Sequence, residues 1–107
     1  MKSKPSISND EAMVQALRRN PGLAAGYLKA ALEERDEPKV LLMALRHVAE
    51  AKGGIAKVAK AAGIERESLY RALSPRGNPR FSTLIAVIHA MGLKLTVEPE
   101  ALGKRAA

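Results

Sequence analysis

The chain has no cysteine and no tryptophan, only two histidines, and three aromatic rings (Tyr27, Tyr70 and Phe81) in 107 residues. Without thiols there is no disulfide, thiolate nucleophile, iron–sulfur cluster or cysteine-based zinc site, and an intracellular setting is permitted. Three aromatics are too few to build the stacking platforms on which single-stranded RNA is read. His47 and His89 fall on separate predicted helices with no carboxylate or second imidazole at ligand spacing. No catalytic residue, metal or cofactor is therefore expected, and the chain is not read as an enzyme. No uncharged apolar run reaches the ~18 residues of a membrane span, and Met-Lys-Ser-Lys-Pro leads into a polar stretch without a signal-like apolar core. The expectation is a cytoplasmic protein with no membrane partner.

What is present is a foldable and basic chain. Hydrophobic residues make up 47% of it, enough to bury a core, and 107 residues suit one domain. Lys and Arg number 18 against 11 Asp and Glu, a net charge of +7, which favours polyanions and makes nucleic acid the first suspect. The excess is localised. Residues 1–45 hold 7 basic and 6 acidic residues, 46–94 hold 9 and 3, and 95–107 hold 2 and 2, so a net +6 lies in the middle segment. The plain alternative for such a segment is a solvated face.

The periodicity predicts helices nearly throughout. Ser8-Asn9-Asp10-Glu11 has the form of a capping box and starts a first helix that ends near Arg19. Asn20-Pro21 is read as the start of a second, with Leu23, Tyr27, Leu28, Ala31 and Leu32 at helical spacing, ending near Glu34 or Arg35. A third follows Asp36-Glu37-Pro38, carries the stripe Leu41, Ala44, Leu45, Val48 and Ala49, and stops before Gly53-Gly54. Residues 54–62 and 66–73 read as short fourth and fifth helices about Gly63. Ser82 is expected to cap a sixth, which Gly92 ends. Residues 93–98 alternate apolar and polar, a strand pattern closed by Pro99. A lone strand needs a ladder partner, so a homodimer joined through Leu93, Leu95 and Val97 is expected; the alternative is an extended tail lying on its own core. The resulting division is N-terminal helices in 8–36, a core in 37–92, a dimerisation strand in 93–98 and a flexible tail in 99–107, all within one mainly α domain of five to six helices.

Residues 55–74 meet the steric demands of a helix-turn-helix. Ala59 is small where the helices touch, Gly63 suits the turn, and Val58, Ala62, Ile64, Leu69 and Ala72 fill the inward positions. An ordinary helical hairpin is the alternative, but few hairpins meet every position and are this basic. In such a motif the second helix enters the major groove of double-stranded DNA. With Leu69, Ala72 and Leu73 inward, the residues Arg66, Glu67, Ser68, Tyr70 and Arg71 are the candidates for base contact. Arg66 and Arg71 suit guanine O6 and N7, and Glu67 suits cytosine N4. Tyr70 suits a thymine methyl or a phosphate, or else packs sideways on the following loop. Lys57, Lys60, Arg76, Asn78 and Arg80 flank the motif as candidate phosphate contacts, with solubility as the bland reading.

The segments Tyr27-Leu28-Lys29-Ala30-Ala31-Leu32-Glu33-Glu34, Ala44-Leu45-Arg46-His47-Val48-Ala49, Glu67-Ser68-Leu69-Tyr70-Arg71-Ala72-Leu73-Ser74 and Gly77-Asn78-Pro79-Arg80-Phe81-Ser82-Thr83-Leu84 resemble, in one register, the probable addiction-module antidote family, whose members are HigA-like antitoxins. The resemblance implies an Xre-type, lambda-repressor-like helix-turn-helix fold. It also implies a dimeric antitoxin that neutralises a RelE- or HigB-like ribonuclease toxin encoded beside it and represses the shared operon. Members usually carry Ser or Thr before the Arg-Glu-Ser segment, where this chain has Glu65, a poorer cap whose charge still suits the helix dipole. A basic toxin would meet the near-neutral N-terminal helices at Tyr27, Glu33, Glu34 and Asp36; a solvated helix-end cluster is the alternative there. A stand-alone phage-type repressor would show the same motif.

Overall fold

The computed structural model describes residues 8–100, which form six helices. They are α1 (Asn9–Arg19), α2 (Leu23–Leu32), α3 (Pro38–Ala51), α4 (Ile55–Ala62), α5 (Arg66–Ala72) and α6 (Phe81–Ala90). α1 is closed by its capping box: the Glu11 amide donates to Ser8 Oγ at 3.0 Å and the Ser8 amide to Glu11 Oε1 at 3.4 Å. α3 starts with Pro38 in its first turn, where the missing amide has no intrahelical partner to lose.

Both α1 and α2 pack on α3, which passes on to α4, and α4 in turn contacts α5 and α6. The largest side chains wholly removed from water are Leu45, Val48, Leu69, Leu73 and Val87, so one core runs from α3 through α5 to α6. α4 ends in a Schellman turn. The Ile64 amide reaches the Ala59 carbonyl at 2.9 Å, and Gly63 sits between them at φ +73°. α6 ends the same way, Leu93 donating to Ile88 at 3.0 Å around Gly92 at φ +83°.

Three local expectations are corrected. Asn20-Pro21 does not open α2: Asn20 closes α1, its amide donating to the Ala16 carbonyl, and Gly22 holds the N-cap position of α2. Asn20 and Pro21 instead form a turn whose carbonyls accept from Leu23 and Ala24, and α2 begins at Leu23 without a side-chain cap. Ser82 lies inside the first turn of α6: Arg80 is extended at the N-cap position and its carbonyl already accepts from Leu84 at 3.0 Å.

Residues 93–98 form no strand, since no neighbouring segment among the described residues offers a ladder. The alternation is still used, but by a helix of the same chain. Leu93 and Leu95 turn into a groove with Leu28, Leu32 and Ile88. Lys29 pairs with Glu98 at 3.2 Å, and Arg35 pairs with Glu100. Leu93 and Leu95 thus lie on their own core, the alternative to a strand pairing, while Val97 stands 97% exposed. The expected flexible tail falls, after Glu100, outside the described residues.

At Gly63 backbone geometry can be tested by itself, because space for a Cβ is open there and only its positive φ stands in the way. Gly63→Ala is expected to destabilise by about 1 kcal/mol. That lowers the thermal midpoint by roughly 4–8 °C. Gly63→Asn should lose less, since asparagine tolerates the left-handed region. Equal midpoints for wild type and Gly63→Ala would show that the turn relaxes elsewhere.

Candidate nucleic-acid interface

α4 and α5 are too short to be stable alone and are held by the side chains between them. Ala59, 1% exposed, lets them approach, and Leu69 and Leu73 are sealed beneath α5. Val58 is buried with them, and Ala62, Ile64 and Ala72 are half-buried at the edges of the contact. With those positions inward, Arg66, Glu67, Tyr70 and Arg71 are left exposed on α5, Lys57 and Lys60 on α4, and Arg76, Asn78 and Arg80 on the loop before α6. Ser68 differs. It is half-buried and its hydroxyl donates to Glu65 Oε1 at 3.2 Å, so its polar atom is turned toward the start of its own helix. Glu65 holds the N-cap position with extended backbone, but its side chain caps no amide.

The loop carrying Arg76, Asn78 and Arg80 is tied to the end of α5. Ser74 Oγ donates to the Arg71 carbonyl at 2.8 Å, and the Gly77 amide donates to the Ser74 carbonyl at 2.8 Å. Gly77 lies so close that a Cβ there would sit 2.0 Å from the Ala72 carbonyl oxygen, so no other residue fits without moving the loop. Among the described residues, none of Lys57, Lys60, Arg66, Arg71, Arg76 and Arg80 has a carboxylate within ion-pair distance. Their charges add to one positive field and can be met by a polyanion.

A second polar cluster was not foreseen from the sequence. His47, on the apolar face of α3, is 7% exposed. Its Nδ1 lies 2.5 Å from the Tyr27 hydroxyl of α2 and its Nε2 lies 2.8 Å from Asp10 Oδ1 of α1. The Tyr27 and His47 rings are stacked at 5.9 Å. With neutral imidazole, Tyr27 donates to Nδ1 and Nε2–H donates to Asp10; with imidazolium, both nitrogens donate. Burial first, and the Asp10 charge second, raise the Tyr27 pKa above 10.0. The only local hints were a histidine on an apolar stripe and an aspartate in a capped first turn. Asp10 lies 37 positions from its partner. Among the described residues no three His, Asp or Glu side chains gather as a metal site.

The residues expected to face a protein partner are divided by the fold. Glu33, Glu34 and Asp36 are exposed at the α2–α3 junction, and Glu33 also lines the groove under residues 93–98. Tyr27 is half-buried with its hydroxyl engaged by His47.

The family described as "Probable addiction module antidote protein" matches residues 9–99. A Haemophilus influenzae protein described as uncharacterized is 42% identical over 72 residues, which cover 67% of this chain and 72% of that one. No solved structure matches.

The Tyr27 shift carries a sign that can be checked. A phenol whose pKa is raised in the fold keeps its proton there. Its contribution to stability is complete below pH 10 and is lost as pH rises through the folded value. In Tyr70→Phe, Tyr27 is the one phenol left, and an alkaline absorbance titration is expected to give a midpoint above 10.0. Tyr27→Phe should cost about 0.5–1.5 kcal/mol near neutral pH. A midpoint at or below the ordinary value would mean that the hydroxyl is not held between burial and Asp10.

Proposed function

The chain belongs to the probable addiction module antidote family, and from that premise we propose that it is the antitoxin of a type II toxin–antitoxin module. In this reading it binds operator DNA sequence-specifically, represses its own operon and neutralises a RelE- or HigB-like toxin, with no catalytic role of its own. The observation that carries the DNA half is the set of exposed cations, without ion-pair partners among the described residues, on α4, α5 and the loop after them, around a two-helix unit whose inward positions are all apolar.

In the proposed complex α4 and α5 act as a helix-turn-helix, and the N-terminal end of α5 enters the major groove. Arg66 and Arg71 make bidentate contacts to guanine, Glu67 accepts from cytosine, and Tyr70, 48% exposed, lies against a thymine methyl or a phosphate. Ser68 supports the start of α5 through Glu65 more than it reads a base. Lys57, Lys60, Arg76, Asn78 and Arg80 hold phosphates and set the register. The toxin half is supported by charge complementarity: Glu33, Glu34 and Asp36 are exposed at the α2–α3 junction, outside α4, α5 and the loop in sequence, and suit a basic partner.

Two substitutions separate reading from holding. Arg71→Ala is expected to lower operator affinity by about 1–3 kcal/mol and to relax preference at one base pair. Lys57→Ala should weaken every sequence alike and reduce the slope of log affinity against log salt by about one. Equal losses on operator and random duplex for Arg71→Ala would remove it from the reading set. Charge reversal at Glu33, Glu34 and Asp36 should diminish co-purification with the toxin encoded beside the gene and leave operator binding intact. Operator binding with no capture of that neighbour by the wild type would favour a stand-alone repressor.

A further inference from the structure

We propose that Arg46, one of the nine basic residues of the net-positive middle segment, is a positioning residue that holds the C-terminal end of α5 and so sets how Arg66 to Arg71 are presented to DNA. The proposal rests on the DNA-reading function argued above. Arg46 is half-buried on α3, and its Nη1 donates to the backbone carbonyl of Leu73, the residue that closes α5, across 27 positions of sequence. That carbonyl is among the last of the helix, which have no intrahelical donor. A guanidinium there makes a charge-assisted bond and sits at the negative end of the helix dipole.

The tie matters because of what else holds α5. The helix has seven residues, no side-chain cap at its N-terminus, and packs chiefly on α4. Arg46 links it directly to α3. The base from which Arg46 reaches is itself fixed: Leu45 before it is sealed in the core, and His47 after it is gripped by Tyr27 and Asp10. Arg46 also walls the same cleft as Tyr70, so its side chain lies beside the reading helix without joining its outward row.

The test is Arg46→Met, which keeps the length of the side chain and removes its donors, compared with Arg46→Lys. Affinities for operator and random duplex are measured against salt, and hydrogen exchange is followed along the chain. The expected result for Arg46→Met is a loss of about tenfold on the operator, with random-duplex affinity and salt slope unchanged. Exchange should speed up at the amides of residues 69–74 and not in α1 to α3. Arg46→Lys, with its single flexible ammonium, should recover part of the discrimination. Equal loss on both duplexes with a slope lower by about one would make Arg46 a phosphate contact and overturn the proposal. Faster exchange throughout the chain would overturn it in favour of general stability. A wild type that prefers its operator beside an Arg46→Met variant that prefers it equally overturns this proposal alone, whereas a wild type with no preference overturns the DNA reading as well.

Discussion

Leu45, Val48 and Ala49 on α3 are 0% exposed, and the arrangement of the chain follows from keeping them so. A helix covered this completely needs neighbours on several sides, and α1, α2 and α4 supply them. Each large side chain so buried contributes about 1.5–3 kcal/mol relative to exposure, which is how helices of 7 to 14 residues hold together without disulfide or metal. Such a helix cannot carry polar groups on its covered faces unless each finds a partner. Its two polar residues in the middle, Arg46 and His47, both do, the first at Leu73 of α5 and the second at Tyr27 and Asp10. The same burial that requires those bonds makes α3 the member through which the N-terminal helices and the α4–α5 unit are fixed to one frame.

Charge follows a second division. The ion pairs Lys29 with Glu98 and Arg35 with Glu100, and the hydrogen bond of His47 to Asp10, all involve the N-terminal helices or the segment that crosses α2. Exposed pairs of the first two kinds stabilise by less than about 1 kcal/mol each. Their larger effect is to neutralise the region around α2. Among the described residues the basic residues of α4, α5 and the following loop are left without such partners, and residues 55–80, with 6 basic and 2 acidic residues, carry a net +4 of the +6 in residues 46–94.

Much of this was legible in the sequence because it is made within a few residues of chain. The Ser8–Glu11 box, Pro38 at the start of α3, the stripe ending at Ala49, and Gly63 and Gly92 beyond their helices are local signals, and each meets its expected structure. Errors arose where two local signals competed for one residue. Asn20 suits the start of α2, but its amide also suits the end of α1, and the second use prevails. Errors arose again where the partner was distant. The alternation in residues 93–98 was visible, whereas the α2 groove that accepts Leu93 and Leu95 lies some sixty positions earlier. Asp10 on His47 and Leu73 on Arg46 are of the same kind: a sequence shows a histidine and an arginine on one helix, and only the fold shows what they face.

The two ends of α5 are held unequally, and this bears on how a short helix can read a ligand. At its start, Glu65 occupies a position where a serine or threonine would cap an amide. Its carboxylate instead accepts from Ser68, one turn on. The negative charge suits the helix dipole, but the first amides keep no side-chain acceptor. At its finish, Leu73 is sealed in the core, its carbonyl is taken by Arg46, Ser74 bonds back to Arg71, and Gly77 presses the loop against Ala72. The helix is therefore secured at the end away from the groove and lightly held at the end that would enter it. Arg66 and Glu67 stand exposed at that lightly held end, one turn before Leu69, which is sealed in the core.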